Sequence, residues 1–278
     1  MPDHTTASND MRSACPSDSD AGKSGESYSP EMAGSNGKIE PVPFDCIVIS
    51  DLHLGSEICQ ADLLEAFLEW AVVNSRMLVI NGDIFDDLNF KRLKRHHFNC
   101  LRVIRRNTDR PDLRVIWIRG NHDGPADIVS HIVGVDVLDE FVYDNGQTRL
   151  LIFHGDQFDT IVSGHKGITA FFSAIFRGLK RILPGDWARA IRRFSKSFQR
   201  NSDAIRRGAV AEARRRGCPA VTCGHTHAFE DTTIDGVRYV NTGTWTTAPP
   251  CPFLTIRGPQ MELAFWPMRE IPTGAAEA

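Results

Sequence analysis

Phe44-Asp45-Cys46-Ile47-Val48-Ile49-Ser50-Asp51-Leu52-His53-Leu54-Gly55 is the stretch on which the reading of this chain turns. Its first half is a short continuous apolar run rich in β-branched residues, the pattern of a strand buried on both faces. Its second half changes at once to a carboxylate and an imidazole two positions apart, followed by a glycine. A buried strand that ends in Asp-x-His delivers polar side chains to one edge of a sheet, where open α/β sheets place their ligand-binding loops.

The same arrangement recurs along the chain. The strand-like Met77-Leu78-Val79-Ile80 leads to Gly82-Asp83, and Val115-Ile116-Trp117-Ile118 leads to Gly120-Asn121-His122-Asp123. Leu150-Leu151-Ile152-Phe153 runs into His154-Gly155-Asp156, and Ala220-Val221-Thr222-Cys223 into Gly224-His225-Thr226-His227. Residues 63–73 and 96–106 have helical apolar spacing, and late strands are predicted over 236–241 and 253–265. Strands alternating with helices predict an α/β layered fold. Each motif alone is common. Together they place Asp and Asn oxygens beside neutral imidazoles just past successive strands, a donor set suited to Mn²⁺, Fe²⁺, Zn²⁺, Co²⁺ or Ni²⁺. The interleaved glycines let backbone approach such a cluster closely.

In this order, the motifs resemble the calcineurin-like metallophosphoesterase superfamily from about residue 44 to residue 266. The resemblance implies a four-layer α/β/β/α sandwich with a helical cap insertion. It also implies two divalent ions, with Mn²⁺ the first choice. Asp51, His53 and His227 would hold one, Asn121, His154 and His225 the other, and Asp83 would bridge them. No expected ligand is missing, which argues against a scaffold that has lost its metal chemistry. The implied reaction is in-line hydrolysis of a phosphoester or phosphoanhydride by water activated at the ion pair. His122 is the candidate general acid for the leaving oxygen, and Asn121 a contact to substrate. Asp123 has two readings: a carboxylate orienting the His122 imidazole, or a cap on the following turn.

Within the superfamily the chain is similar to the UDP-2,3-diacylglucosamine pyrophosphatases of lipid A synthesis, which release UMP and lipid X. Ser50-Asp51-Leu52-His53-Leu54-Gly55, Gly82-Asp83-Ile84-Phe85-Asp86 and a helical insert between His154 and His225 carry that similarity. Over residues 168–183 apolar side chains recur at helical offsets, and Pro184-Gly185 closes the pattern. This stripe reads either as an acyl-binding groove or as the face that packs the cap on the core. Further helices are predicted over 187–198 and 202–216. Arg193, Lys196 and Arg200 are candidates to meet the substrate diphosphate or anionic lipid headgroups. A phosphodiesterase or phosphomonoesterase of another substrate is the alternative. The basic insert lacks aromatic stacking platforms beside the metal motifs, which argues against a nucleic-acid substrate.

The whole chain has 278 residues, 41% of them hydrophobic, enough for a buried core. Between Arg177 and Arg216 thirteen Lys/Arg stand against three Asp/Glu, a local +10, so the remainder sums to -13 against an overall -3. Such asymmetry suits either a solvated helix face or a face turned to an anionic surface. Residues 1–40 are rich in Ser, Asp, Gly and Pro and are expected to be a disordered tail. The catalytic domain is expected over 41–272, with the cap at about 160–216. The seven cysteines form no Cys-x-x-Cys pair and no disulfide framework, which fits a reducing compartment. No signal-like segment and no run near the roughly 18 apolar residues of a membrane span is present. A cytoplasmic protein is expected, touching the inner membrane peripherally through its cap.

Overall fold

The computed structural model describes residues 43–135, 137–159 and 187–268. The opening run forms β1 (Cys46–Ile49), followed by α1 (Ala61–Asn74), β2 (Met77–Asn81), α2 (Arg95–Asn107), β3 (Arg114–Ile118), α3 (Ala126–Val133), β4 (Val137–Leu138), β5 (Glu140–Asp144) and β6 (Arg149–Phe153). After α4 (Trp187–Arg215) come β7 (Ala220–Cys223), β8 (Glu230–Ile234), β9 (Val237–Asn241), β10 (Cys251–Arg257) and β11 (Gln260–Trp266). One sheet has the order β11-β10-β1-β2-β3-β4 and the other β5-β6-β7-β9-β8. Strands β1 to β4 run parallel, as do β6, β7 and β9, while β10, β11, β5 and β8 pair antiparallel at the flanks.

The continuous apolar character of the strands follows from their being covered on both faces. Ile47, Ile49, Leu78, Ile80 and Trp117 face α1 and α2, where they meet Leu64, Phe67, Leu68, Cys100 and Ile104. Their neighbours Val48, Val79, Ile116 and Ile118 point the other way, into a core shared with Leu150, Ile152, Val240 and Ile256 between the sheets. On the far side Leu151, Phe153, Val221 and Tyr239 pack on Ala209, Val210 and Ala213 of α4. The order helix, sheet, sheet, helix is the expected four-layer sandwich.

Two expectations about the insert change. The helices predicted over 187–198 and 202–216 are one continuous helix of 29 residues, α4. Its C-terminal half, with Ile205, Ala209 and Ala213 fully buried, is the fourth layer and not part of a cap. The apolar stripe at 168–183 lies outside the described residues, as does the tail. Among the described residues no helix is long and apolar enough to cross a membrane.

An aromatic group under α1 links the core to the loop between β9 and β10. The Phe67 ring lies 4.7 Å from Trp245, 4.9 Å from Phe253 and 5.5 Å from Trp266, centroid to centroid. Trp245, anchored there, donates its backbone N–H to the Asp51 carbonyl at 3.0 Å. Truncating a buried aromatic of this kind to Ala costs about 3–5 kcal/mol, so this loop has a rigid footing.

Candidate metal centre

The loops that follow β1, β2, β3, β6 and β7 converge at one edge of the two sheets. Their backbones are unusual. Among the described residues six non-glycine residues have positive φ, and five of them are Asp51 (54°), His53 (47°), Asp83 (52°), His225 (66°) and His227 (59°). Left-handed backbone at non-glycine residues costs on the order of 1–3 kcal/mol each and persists where surroundings over-determine it. Here they do. Asp51 and His53 donate their N–H groups to the carbonyls of Gly82 and Asp83, both at 3.0 Å. The His225 N–H reaches both carboxylate oxygens of Asp51 at 3.1 Å, and the His122 N–H reaches Asp83 Oδ1 at 2.9 Å.

These constraints gather donor atoms into two sets that share Asp83. Asp51, His53, Asp83 and His227 form one, and Asp83, His154 and His225 the other, with the donor atoms in each within 4.8 Å of one another. His227 Nε2 lies 3.2 Å from Asp51 Oδ1 and 3.0 Å from His53 Nε2. His154 Nε2 lies 3.3 Å from Asp83 Oδ2, and its Nδ1 faces the Asn81 carbonyl at 3.0 Å. Asn121 sits exposed in the same turn, between Gly120 and His122. Gly120 is obligatory: a Cβ there would lie 2.3 Å from the backbone nitrogen and Oδ1 of Asp83.

The residues fit divalent cations. His53 Nδ1 is buried without a hydrogen-bond partner, and unpaired buried polar atoms are costly unless something completes them. The charges point the same way. Burial alone would raise Asp83, but His154, His122 and His53 outweigh it and hold the carboxyl well below its ordinary range. Burial also works against the His154 cation, yet Asp83 and Asp51 raise its pKa well above the usual value. Burial followed by the neighbouring His227 pushes His53 down to about 4. Two buried carboxylates surrounded by imidazoles are a site that trades protons for cations.

His122 faces the cluster, with Nε2 3.9 Å from Asp83 Oδ2 and its ring edge-on to His53 at 5.2 Å. Its orienting partner is not Asp123. The His122 Nδ1 lies 2.6 Å from the Asp86 carbonyl. The Asp123 carboxylate instead accepts the N–H groups of Ile84 at 2.7 Å, Phe85 at 3.1 Å and Gly120 at 2.9 Å. It is fully buried, and burial with Asp83 nearby raises its pKa to about 6. Three backbone donors claim this side chain, so it staples the Asp83 loop to the Gly120 loop, closer to the turn-capping reading.

Arg200 lies exposed on α4 and is not gathered into the cluster. The side chains of Arg193 and Lys196, earlier on that helix, fall outside the described residues. Sequence reasoning missed Asp159, whose Oδ2 lies 2.7 Å from His225 Nε2. It stands five residues past His154 and is brought back by a 3₁₀ turn at Asp156–Phe158, a local geometry with no periodic signal. It also missed Asp86, whose carbonyl fixes His122.

A protein-family model described as calcineurin-like phosphoesterase matches residues 45–229. No curated protein matches the sequence. Among solved structures, the phosphoesterase Yfce of E. coli is 15% identical, with 76% of this chain and 87% of that chain covered and a TM-score of 0.44. A predicted phosphoesterase from Streptococcus pneumoniae TIGR4 is 15% identical, covering 79% and 87% with a TM-score of 0.39. Wild-type Vps29 of Entamoeba histolytica, complexed with Zn²⁺, is 14% identical, covering 79% and 90% with a TM-score of 0.42.

Proposed function

The chain belongs to the calcineurin-like phosphoesterase family of metal-dependent phosphoester hydrolases, and we propose that it hydrolyses its substrate at a dinuclear centre shared through Asp83. Asp51, His53 and His227 hold one divalent ion, and Asn121, His154 and His225 the other. What supports this reading is Asp83 itself, a buried carboxylate in left-handed backbone that belongs to both donor sets.

Bound there, the two ions supply Lewis-acid charge to the phosphoryl group and activate the attacking water. The chain's own residues do the rest. With Nδ1 held on the Asp86 carbonyl, His122 presents Nε2 toward the cluster and delivers a proton to the leaving oxygen. The exposed amide of Asn121, one residue earlier, meets a phosphoryl oxygen. Asp123 acts through the backbone by holding the loops of Asp83 and His122 in register.

The substrate class is a phosphorylated small molecule, and UDP-2,3-diacylglucosamine is the leading candidate. The Ser50–Gly55 and Gly82–Asp86 motifs and the basic character of α4 support that choice, with contact to an anionic membrane surface through the arginine-rich insert. Mn²⁺ is the proposed native ion and the cytoplasm the proposed compartment. The test compares hydrolysis of UDP-2,3-diacylglucosamine with that of bis(p-nitrophenyl) phosphate in Mn²⁺. Release of UMP far faster than the generic ester is the expected result. Turnover of the generic ester alone keeps the metal chemistry and removes the lipid substrate.

A further inference from the structure

Beside the metal cluster is a second feature that the chemistry above does not use. A recess of about 480 Å³ begins at His227 and runs between Phe229, Thr244, Pro250, Pro252 and Phe265. None of its described lining residues is Asp, Glu, Lys or Arg. The Phe229 side chain is 60% exposed, although its ring meets Phe265 edge-on at 5.3 Å. The floor is tightly packed: a Cβ on Gly243, whose φ is +66°, would lie 2.7 Å from Pro252 Cγ and 3.2 Å from Phe229 Cβ.

The recess is also fixed to the cluster. Thr244 donates its hydroxyl to the Asp51 carbonyl at 3.0 Å, and His227, which lines the mouth, is 3.2 Å from the Asp51 carboxylate. An apolar space with rigid walls and a polar mouth, at the small end of the roughly 300–1,000 Å³ typical of ligand sites, has the character of a preformed small-molecule subsite. Its size suits one ring or a short alkyl chain.

We infer that this recess binds an apolar substituent on the phosphoryl group of the substrate, so that the site selects organophosphates carrying an alkyl or aryl group. The inference rests on the reading of the neighbouring cluster as a phosphoester-hydrolysing centre. The phosphoryl group lies at the cluster, and the substituent extends past His227 onto Phe229 and the proline wall.

Calorimetric titration of the Mn²⁺-loaded protein with methylphosphonate and octylphosphonate tests it without relying on turnover. Burial of only two methylenes gives about a tenfold gain, so octylphosphonate should bind at least tenfold more tightly than methylphosphonate. Phe229→Asp and Ala248→Glu each put a carboxylate at the recess from an exposed position, and each should reduce that preference to about threefold or less. Equal affinities in the wild type, or a preference that survives both substitutions, overturns the subsite. If neither phosphonate binds although Mn²⁺ does, the hydrolytic reading fails and the subsite with it. If Mn²⁺ itself does not bind, the metal centre is wrong at its root.

Discussion

At His225 the Nε2 atom lies 2.7 Å from the carboxylate of Asp159, which is 9% exposed. A carboxylate on one ring nitrogen fixes the tautomer and leaves the other nitrogen for a cation, and losing such a partner typically lowers metal affinity 10–100-fold. Asp159→Asn should therefore weaken one of two metal equivalents by about that factor in a Mn²⁺ titration while the other keeps its affinity. Equal weakening of both equivalents would contradict the pairing. Asp123 makes a different kind of contribution, since its carboxylate satisfies three backbone N–H groups at 2.7–3.1 Å. Asp123→Ala strands those donors in a buried site, where each unsatisfied group costs about 1–3 kcal/mol. The expected result is a loss of roughly 3 kcal/mol or more in denaturant unfolding, present in EDTA as well as in Mn²⁺. A variant with normal stability and reduced turnover would return Asp123 to the proton-transfer machinery.

Helix α2 begins with an acid-sensitive contact. The Lys94 N–H donates to Nδ1 of His97 at 3.0 Å, and His97 is 1% exposed with its Nε2 unpaired. Burial first, and then the neighbouring His96 and Lys94, depress its pKa to about 4. Because the folded value lies below the ordinary one near 6.5, the stability it confers is complete above 6.5 and is lost as pH falls toward 4. At pH 5 the unfolded chain binds the proton and the native helix does not, a penalty of about 2 kcal/mol. His97→Gln keeps an acceptor at this position without the titration, so its loss of stability between pH 7 and pH 5 should be smaller than wild type by about that amount. An identical pH dependence in the two proteins would rule this out. Interior strands such as β1, β2 and β7 are continuous apolar runs because helices or a second sheet cover both faces, and their ends mark the site loops. The unforeseen strands β4, β5 and β8 are all sheet edges, where one side needs no partner and charged residues such as Glu140, Glu230 and Asp231 are tolerated. Ser202-Asp203 in α4 resembles a helix start, yet Asp203 pairs with Arg206 one turn on and the helix continues. The candidate ligands were legible because they follow strands in order. Asp159 and the Asp86 carbonyl were not, because irregular turns bring them in.

Across the whole molecule the two sheets divide the cluster between them. Asp51, His53, Asp83 and His122 rise from the ends of β1, β2 and β3, whereas His154, His225 and His227 follow β6 and β7. The core between the sheets is apolar, with polar links such as the Asn81 amide to the Phe153 carbonyl at 3.0 Å and Arg238 to the Met261 carbonyl at 2.6 Å, and ions held at the common edge would add a further cross-link between the layers. Binding to the native state alone stabilises by RT ln(1 + [L]/Kd), about 2.7 kcal/mol at a hundredfold excess over Kd. For a folded unit of this size that corresponds to a rise of roughly 5–10 °C in Tm. EDTA should lower the melting temperature by a similar interval, and Asp83→Asn should remove the difference by taking away the shared ligand. The interval should also depend on pH in a defined direction. Against the opposing effect of burial, Asp83 holds the pKa of His154, and Asp51 that of His227, above the ordinary value, so an ion must displace protons to enter. Lowering the pH from 7.5 to 6 should therefore narrow the gap between Mn²⁺-loaded and chelated protein. A gap that is constant or widens over that range would mean that ion binding releases no protons, and that the carboxylate–imidazole pairs are not where the ions reside.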